Sequence, residues 1–180
     1  MGSIAFLFFS EMRQRILNLI LLIFLIIFPL YVAGELYYLD KVFFRCPINY
    51  TQDRIIIRHD SWGEGDFQAR RGNGSRKHNG IDLQAPLGVP VYAVRKAKVQ
   101  EARFSRGMGN YVSLLHGQGY VTVYGHLSKI SVKKNQLLRQ GQIVGEVGKT
   151  GNANHYGVIP HVHFEIWNKG ELLDPMDFLE

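Results

Sequence analysis

Two hydrophobic patterns divide the chain. From Ile16 to Ala33 no charged residue interrupts a run of Leu, Ile, Phe and Val. Such a run, rising about 1.5 Å per residue, nearly crosses a hydrocarbon core of about 30 Å. It predicts one transmembrane helix over residues 16–34, after a short mixed tail at 1–15. Pro29 sits near its far end, where a kink is expected, and Tyr31, Tyr37 and Tyr38 suit the membrane interface. Val32-Ala33-Gly34 offers the small residues of a signal-peptide cleavage site, but the apolar run exceeds the ~7–15 residues usual there. A retained anchor is the reading. Arg13 and Arg15 before the run nearly balance Lys41 and Arg45 after it, so charge alone does not orient it.

Beyond the anchor the period changes to two. In His161-Val162-His163-Phe164-Glu165-Ile166 the apolar and polar residues alternate, the signature of a half-buried strand with Val162 and Phe164 facing a core. Val89–Val94, Ala97–Ala102, Asn110–Leu115, Tyr120–Tyr124 and Gln142–Val147 read as further short strands. Gly117-Gln118-Gly119 marks a hairpin. No long amphipathic helix is expected after residue 50. Together these predict an all-β domain over 55–180, a large antiparallel sheet in a sandwich or open barrel. A connector at 35–54 precedes it, whose Tyr37, Tyr38, Phe43, Phe44 and Tyr50 suit packing better than free motion. Trp62 to Lys77, rich in Gly, Arg and Asn, reads as a loop. Its Arg70, Arg71, Arg76 and Lys77 are either solvated or form a rim for an acidic substrate, and solvation is the simpler reading.

Composition narrows the chemistry. A single cysteine, Cys46, excludes an intrachain disulfide and any Cys-x-x-Cys motif; the expectation is a partly buried, inert thiol. A metal would have to use histidine and carboxylate. The net charge of +6 suits nucleic acid, lipid head groups or acidic cell-wall polymers. No basic run interleaved with aromatics marks a nucleic-acid module, so none is expected as a partner.

Histidines supply the candidates. His161 and His163, two apart on a strand, share a face; by themselves they are either polar residues on a solvated face or the start of a metal site, since rigid elements hold metal ligands well. His78-Asn79-Gly80-Ile81-Asp82 adds an imidazole and a carboxylate. Fully extended, their α-carbons would lie ~13 Å apart, so a bend near Gly80 is expected. With His163 they form a His₂Asp set that leaves a fourth tetrahedral position open, the pattern of catalytic zinc. His126, in Val123-Tyr124-Gly125-His126-Leu127, is by itself compatible with a surface histidine.

His78-x-x-x-Asp82, Tyr124-Gly125-His126-Leu127 and His161-x-His163-Phe164-Glu165, in that order, resemble the lysostaphin/LytM-type zinc metallopeptidases, which cut peptide cross-bridges or stems of bacterial peptidoglycan. The likeness spans about residues 75 to 178 and includes Gly80-Ile81-Asp82-Leu83, Gly109-Asn110-Tyr111-Val112, Gly141-Gln142 and Gly148 to Gly151. It implies one Zn²⁺ on His78, Asp82 and His163, and catalytic roles for His126 and His161. His161 is read as the base that takes a proton from water and returns it to the leaving amine. His126, from a facing hairpin, would hold the water or donate to an oxyanion, and the two could exchange roles. Glu165 either orients an imidazole or makes a structural ion pair.

The segment 152–160 is longer than the family's and should border the groove, with His155 at the surface or, less simply, as an extra ligand. Asn135 stands at a turn where glycine is common, and Asn accepts left-handed geometry. His59 and His116 read as structural. The implied protein is a single-pass, membrane-anchored, zinc-dependent endopeptidase acting on peptidoglycan peptides outside the cytoplasmic membrane. The alternative is a non-catalytic cell-wall-binding module that activates another hydrolase. Oligomeric state and the scissile bond are left open.

Overall fold

The computed structural model describes residues 2–32, 44–50, 54–71 and 74–179, in two units, Met1–Leu39 and Asp40–Glu180. The first is helical. α1 (Gly2–Leu22) begins well before the apolar run, so the stretch expected as a tail is helical too; no Gly or Pro interrupts residues 3 to 28. A wide π turn, Ile23–Ile27, follows, closed by the Phe28 N–H on the Ile23 carbonyl. Pro29 has no N–H and its ring crowds the carbonyl four residues earlier, so the perturbation expected at Pro29 is taken up just upstream of it as a widened turn. Residues Glu11–Val32 are long and apolar enough to cross a membrane. Leu25 and Leu30 are among their exposed apolar side chains.

The second unit is antiparallel β-structure. Its strands are β1 (His59–Asp60), β2 (Gly63–Glu64), β3 (Arg70–Arg71), β4 (Arg76–Lys77), β5 (Ile81–Gln84), β6 (Pro90–Tyr92) and β7 (Ala97–Ser105), then β8 (Gly109–His116), β9 (Tyr120–Leu127), β10 (Lys129–Ile130), β11 (Leu137–Leu138), β12 (Ile143–Glu146), β13 (His161–Asn168) and β14 (Glu171–Leu173). The main sheet runs β11-β7-β8-β9-β13-β14, with β5 also on β13, and a smaller sheet runs β10-β12-β6. The strands expected on either side of Arg95-Lys96 therefore part, β6 to the small sheet and β7 to the large one. Among the described residues no helix longer than one short 3₁₀ turn follows residue 50.

One core lies beneath both sheets, with Val91 and Val144 from the small one and Val162, Phe164 and Ile166 from β13, all fully buried. The apolar face of β13 lies in the core as expected, but the strand is not half-buried: His161, His163 and Glu165 on the other face are buried too. The last two residues of the expected anchor, 33–34, and residues 35–43 and 51–53 of the connector, with Tyr37, Tyr38 and Phe43, lie outside the described residues, but Phe44 and Ile48 are buried in the same core. Phe44 meets the Tyr120 and Phe178 rings edge-on. Asn135 does adopt positive φ, 69°.

Candidate metal centre

β13 carries the site because of what lies on each side of it. His163 stands opposite Asp82 of β5 on one edge and Gly125 of β9 on the other. Residues 56–58 run along the far side of β5. There Ile57 faces Leu83, the Arg58 N–H donates to the Asp82 carbonyl at 2.8 Å, and the Gln84 N–H donates to Ile56 at 2.8 Å. Arg58, Asp82, His163 and Gly125 thus form one row across four adjacent segments, each about 4.8 Å from the next. Sheet register brings together residues far apart in sequence.

His78 reaches the row from the turn between β4 and β5. The bend falls at Asn79–Gly80, as the spacing required. Its reason differs from the one expected. Gly80 is not among the positive-φ residues; it is small because a Cβ there would collide with the Phe164 carbonyl.

Three donor atoms converge. His78 Nε2 lies 2.9 Å from His163 Nδ1 and 3.1 Å from Asp82 Oδ1, and His163 Nδ1 lies 3.0 Å from Asp82 Oδ1. One edge of a tetrahedral zinc site is about 3.3 Å, so the triangle has the right size. Its protons fit as well. His78 Nδ1 donates to the Asp66 carbonyl at 2.8 Å, and His163 Nε2 donates to Glu165 Oε1 at 2.9 Å. Two ring lone pairs and a carboxylate oxygen then point at one spot, an arrangement that needs a cation or a shared proton at its centre.

The other carboxylate oxygen is already engaged. Asp82 Oδ2 accepts from Arg58 Nη2 at 2.8 Å and Nε at 3.3 Å, and from Arg71 Nη2 at 3.0 Å. Burial would raise the Asp82 pKa, but its bonds to His163 and His78 hold it well below the usual carboxylate range. Burial would likewise depress His163, yet Asp82 and Glu165 more than reverse this and lift it to about 9 in the metal-free chain. Glu165 completes the support by accepting from Trp167 Nε1 at 2.7 Å.

His161 and His126 flank the triangle. His161 Nδ1 donates to the Ile159 carbonyl at 2.7 Å, leaving Nε2 unprotonated 3.9 Å from Asp82 Oδ1. His126 lies on β9, the strand paired with β13 in the same sheet, not on a facing hairpin. By alternation it would join Thr122 and Tyr124 on the core side. Its φ of 60° breaks the alternation, so Leu127 is fully buried in the core instead. The His126 ring sits 5.1 Å from that of His161 and 5.9 Å from that of His163. Its Nδ1 donates to Thr150 at 2.8 Å, so Nε2 is again the free acceptor. Burial, then the nearby His163 and His161, push its pKa down to about 3. Burial also lowers His161, with Asp82 opposing.

These residues open on a cleft of about 620 Å³ whose walls include Trp62, Arg76, Lys77, Met108, Asn152 and Val158. The 152–160 segment borders it, as expected. His155 stacks on Trp62 at 4.7 Å and takes no part in the donor group. His116 is buried against Lys96 and Thr122, and exposed His59 lies 3.6 Å from Asp66, both structural positions. Cys46 is half-buried, and burial raises its pKa. Sequence reasoning missed Arg58, Asp60, Trp62 and the contact of Arg71 with Asp82. The one signal was a charge closing the apolar run Ile55-Ile56-Ile57.

Residues 76–175 match the model of peptidase family M23. The chain is 41% identical over 99 residues to the peptidoglycan DD-endopeptidase ShyA of Vibrio cholerae, covering 55% of this chain and 22% of that protein. It is 37% identical over 109 residues to lysostaphin of Staphylococcus simulans, covering 57% of this chain and 21% of that one. A zinc-containing peptidase from Vibrio cholerae has the same fold, with a TM-score of 0.62 at 33% identity over 76% of this chain and 40% of that one. The chain spans about a quarter or less of the length of these curated relatives.

Proposed function

The chain belongs to peptidase family M23, and from that premise we propose that it is a membrane-anchored, zinc-dependent endopeptidase that hydrolyses peptide bonds in peptidoglycan. The observation that carries the reading is the convergence of His78 Nε2, Asp82 Oδ1 and His163 Nδ1 within 3.1 Å of one another, with their other polar atoms held by Asp66, Arg58 and Glu165. Three protein ligands leave a position for water, and zinc bound there would lower that water's pKa toward about 7.

The chain's own groups supply proton transfer. His161 and His126 both present an unprotonated Nε2 to the cleft, because each Nδ1 donates to a backbone carbonyl. A neutral Nε2 accepts; it does not donate to an oxyanion. His161 is the better base, since burial and the two neighbouring imidazoles push His126 down to about 3, too weak to hold a proton near neutral pH. It takes the proton of the attacking water and delivers it to the leaving amine. His126, held neutral by burial, accepts a hydrogen bond that orients the water. The presence of the whole set favours an enzyme over a binding module.

The name of ShyA supports peptidoglycan peptides as the substrate class. The helix over Glu11–Val32 supports an anchor, with the β unit on the outer side of the cytoplasmic membrane, where that substrate is. The test is to replace His78 or His163 by Ala and measure bound zinc and muropeptide release from cross-linked sacculi. Both should fall to background while the far-ultraviolet dichroism stays that of the wild-type chain. Full zinc content with unchanged release would overturn the assignment.

A further inference from the structure

A second set of polar contacts begins upstream of the family match. Arg58 is 4% exposed, an unusual place for a guanidinium unless every donor direction is used. Its Nε and Nη2 both meet Asp82 Oδ2, and its Nη1 meets Asp60 Oδ1 at 2.6 Å. Asp60 Oδ2 accepts the N–H of Ile159 at 3.0 Å, and the Ile159 carbonyl accepts from His161 Nδ1 at 2.7 Å. The contacts form one unbroken path: Asp82, Arg58, Asp60, Ile159, His161.

We infer that Arg58 and Asp60 are positioning residues that hold the metal carboxylate and the proton-transferring imidazole in a single frame. The inference rests on the reading given under Proposed function. Residues 58–60 lie upstream of the matched span of 76–175, so the sequence match does not reach them.

The backbone fixes Arg58 before its side chain acts. Its N–H is on the Asp82 carbonyl, and the Gly65 N–H is on its own carbonyl at 2.7 Å. A Cβ at Gly65 would press on the Arg58 carbonyl and the Asp82 Cβ, at 2.7 and 2.9 Å, so only glycine lets the three segments approach this closely. From there the planar fork spans two carboxylates at once, which a single ammonium cannot do. With Oδ2 clamped, Asp82 presents Oδ1 alone to the triangle. Asp60 does different work: it reaches no predicted ligand, but fixes the loop from which β13 and His161 begin. Arg71 also holds Asp82 Oδ2, so loss of Arg58 weakens the clamp without removing all positive charge.

The two residues therefore have separable signatures. With the full-length chain in detergent, Arg58→Ala should weaken zinc binding, read by chelator competition, about 10- to 100-fold, and lower kcat. Arg58→Lys should recover only part of that loss. Asp60→Ala should keep zinc affinity close to wild type but lower kcat on the order of tenfold, with a smaller change in KM. Wild-type zinc affinity in a folded Arg58→Ala or Arg58→Lys variant, or wild-type kcat in Asp60→Ala, overturns the inference. If Arg58→Ala does not fold, the Lys and Asp60 variants decide. A wild-type chain that binds no zinc and releases no muropeptide defeats the functional reading itself, a distinct result.

Discussion

At the scale of single residues, the site is a problem in where protons sit. The triangle of His78, Asp82 and His163 needs positive charge at its centre. In the metal-free chain a proton on His163 Nδ1 supplies it, shared with Asp82 Oδ1, which is why the His163 pKa stands at about 9. A zinc ion entering the triangle would have to displace that proton, because only a neutral imidazole ligates. At pH 6, below both the raised value and the pKa of about 7 of a zinc-bound water, zinc binding should release close to one proton, and it comes from this ring. The apparent affinity should rise with pH and level off near 9. Calorimetric titration in buffers of different ionisation enthalpy measures the release. A count near zero would mean that His163 is already neutral and the triangle is held otherwise. These atoms were only partly legible in the sequence. That His163 and His161 share a face follows from local alternation. The free nitrogen on each ring depends on acceptors at Glu165 and Ile159, and the latter lies in a loop no periodicity describes.

At the scale of elements, β13 organises the unit because both its edges are used, β9 along one and β5 then β14 along the other. The strand and its buried Val162, Phe164 and Ile166 were readable from residue pattern alone, as was the β8–β9 hairpin. The row Arg58, Asp82, His163, Gly125 was not, because register between strands far apart in sequence leaves no local mark. Nor was the reversal at His126, where one positive φ moves a side chain from the core face to the site face. Non-glycine residues there cost of order 1 kcal/mol or more, and such strain concentrates at functional sites.

Gly80 shows how closely the elements are fitted. The bend that brings His78 to the triangle passes directly over the Phe164 carbonyl, where a methyl group has no room. Gly80→Ala should therefore push the turn away from β13, destabilising the fold by about 1–3 kcal/mol and carrying His78 away from the other two donors. Thermal melts with and without zinc should show a lower metal-free Tm and a smaller rise on adding zinc. An unchanged rise would mean that the turn shifts without moving the imidazole.

At the scale of the whole molecule, the charge around the cleft favours an anionic ligand. The chain carries a net charge of +6. The acids of the cleft are engaged, Asp82 by Arg58 and Arg71 and Glu165 by His163 and Trp167. Arg76 and Lys77 line the same cleft and are exposed, so the basic loop simplest to read as solvated presents a cationic wall to whatever enters. Cross-linked stem peptides carry free carboxylates, whereas a plain glycine bridge carries none along its length. The wall should aid the former and be indifferent to the latter. Raising ionic strength from about 0.1 to about 1 M shortens the screening length from about 10 to about 3 Å. kcat/KM for an anionic stem-peptide dimer should then fall several-fold, with the change carried by KM. Replacing Arg76 and Lys77 together by Gln should lower the low-salt value toward the high-salt one and flatten the dependence. A neutral oligoglycine substrate measured alongside should respond to neither change. If both substrates lose activity equally with salt, the wall does not select for charge, and the preference must lie in the 152–160 loop, whose Tyr156 is fully exposed beside Trp62.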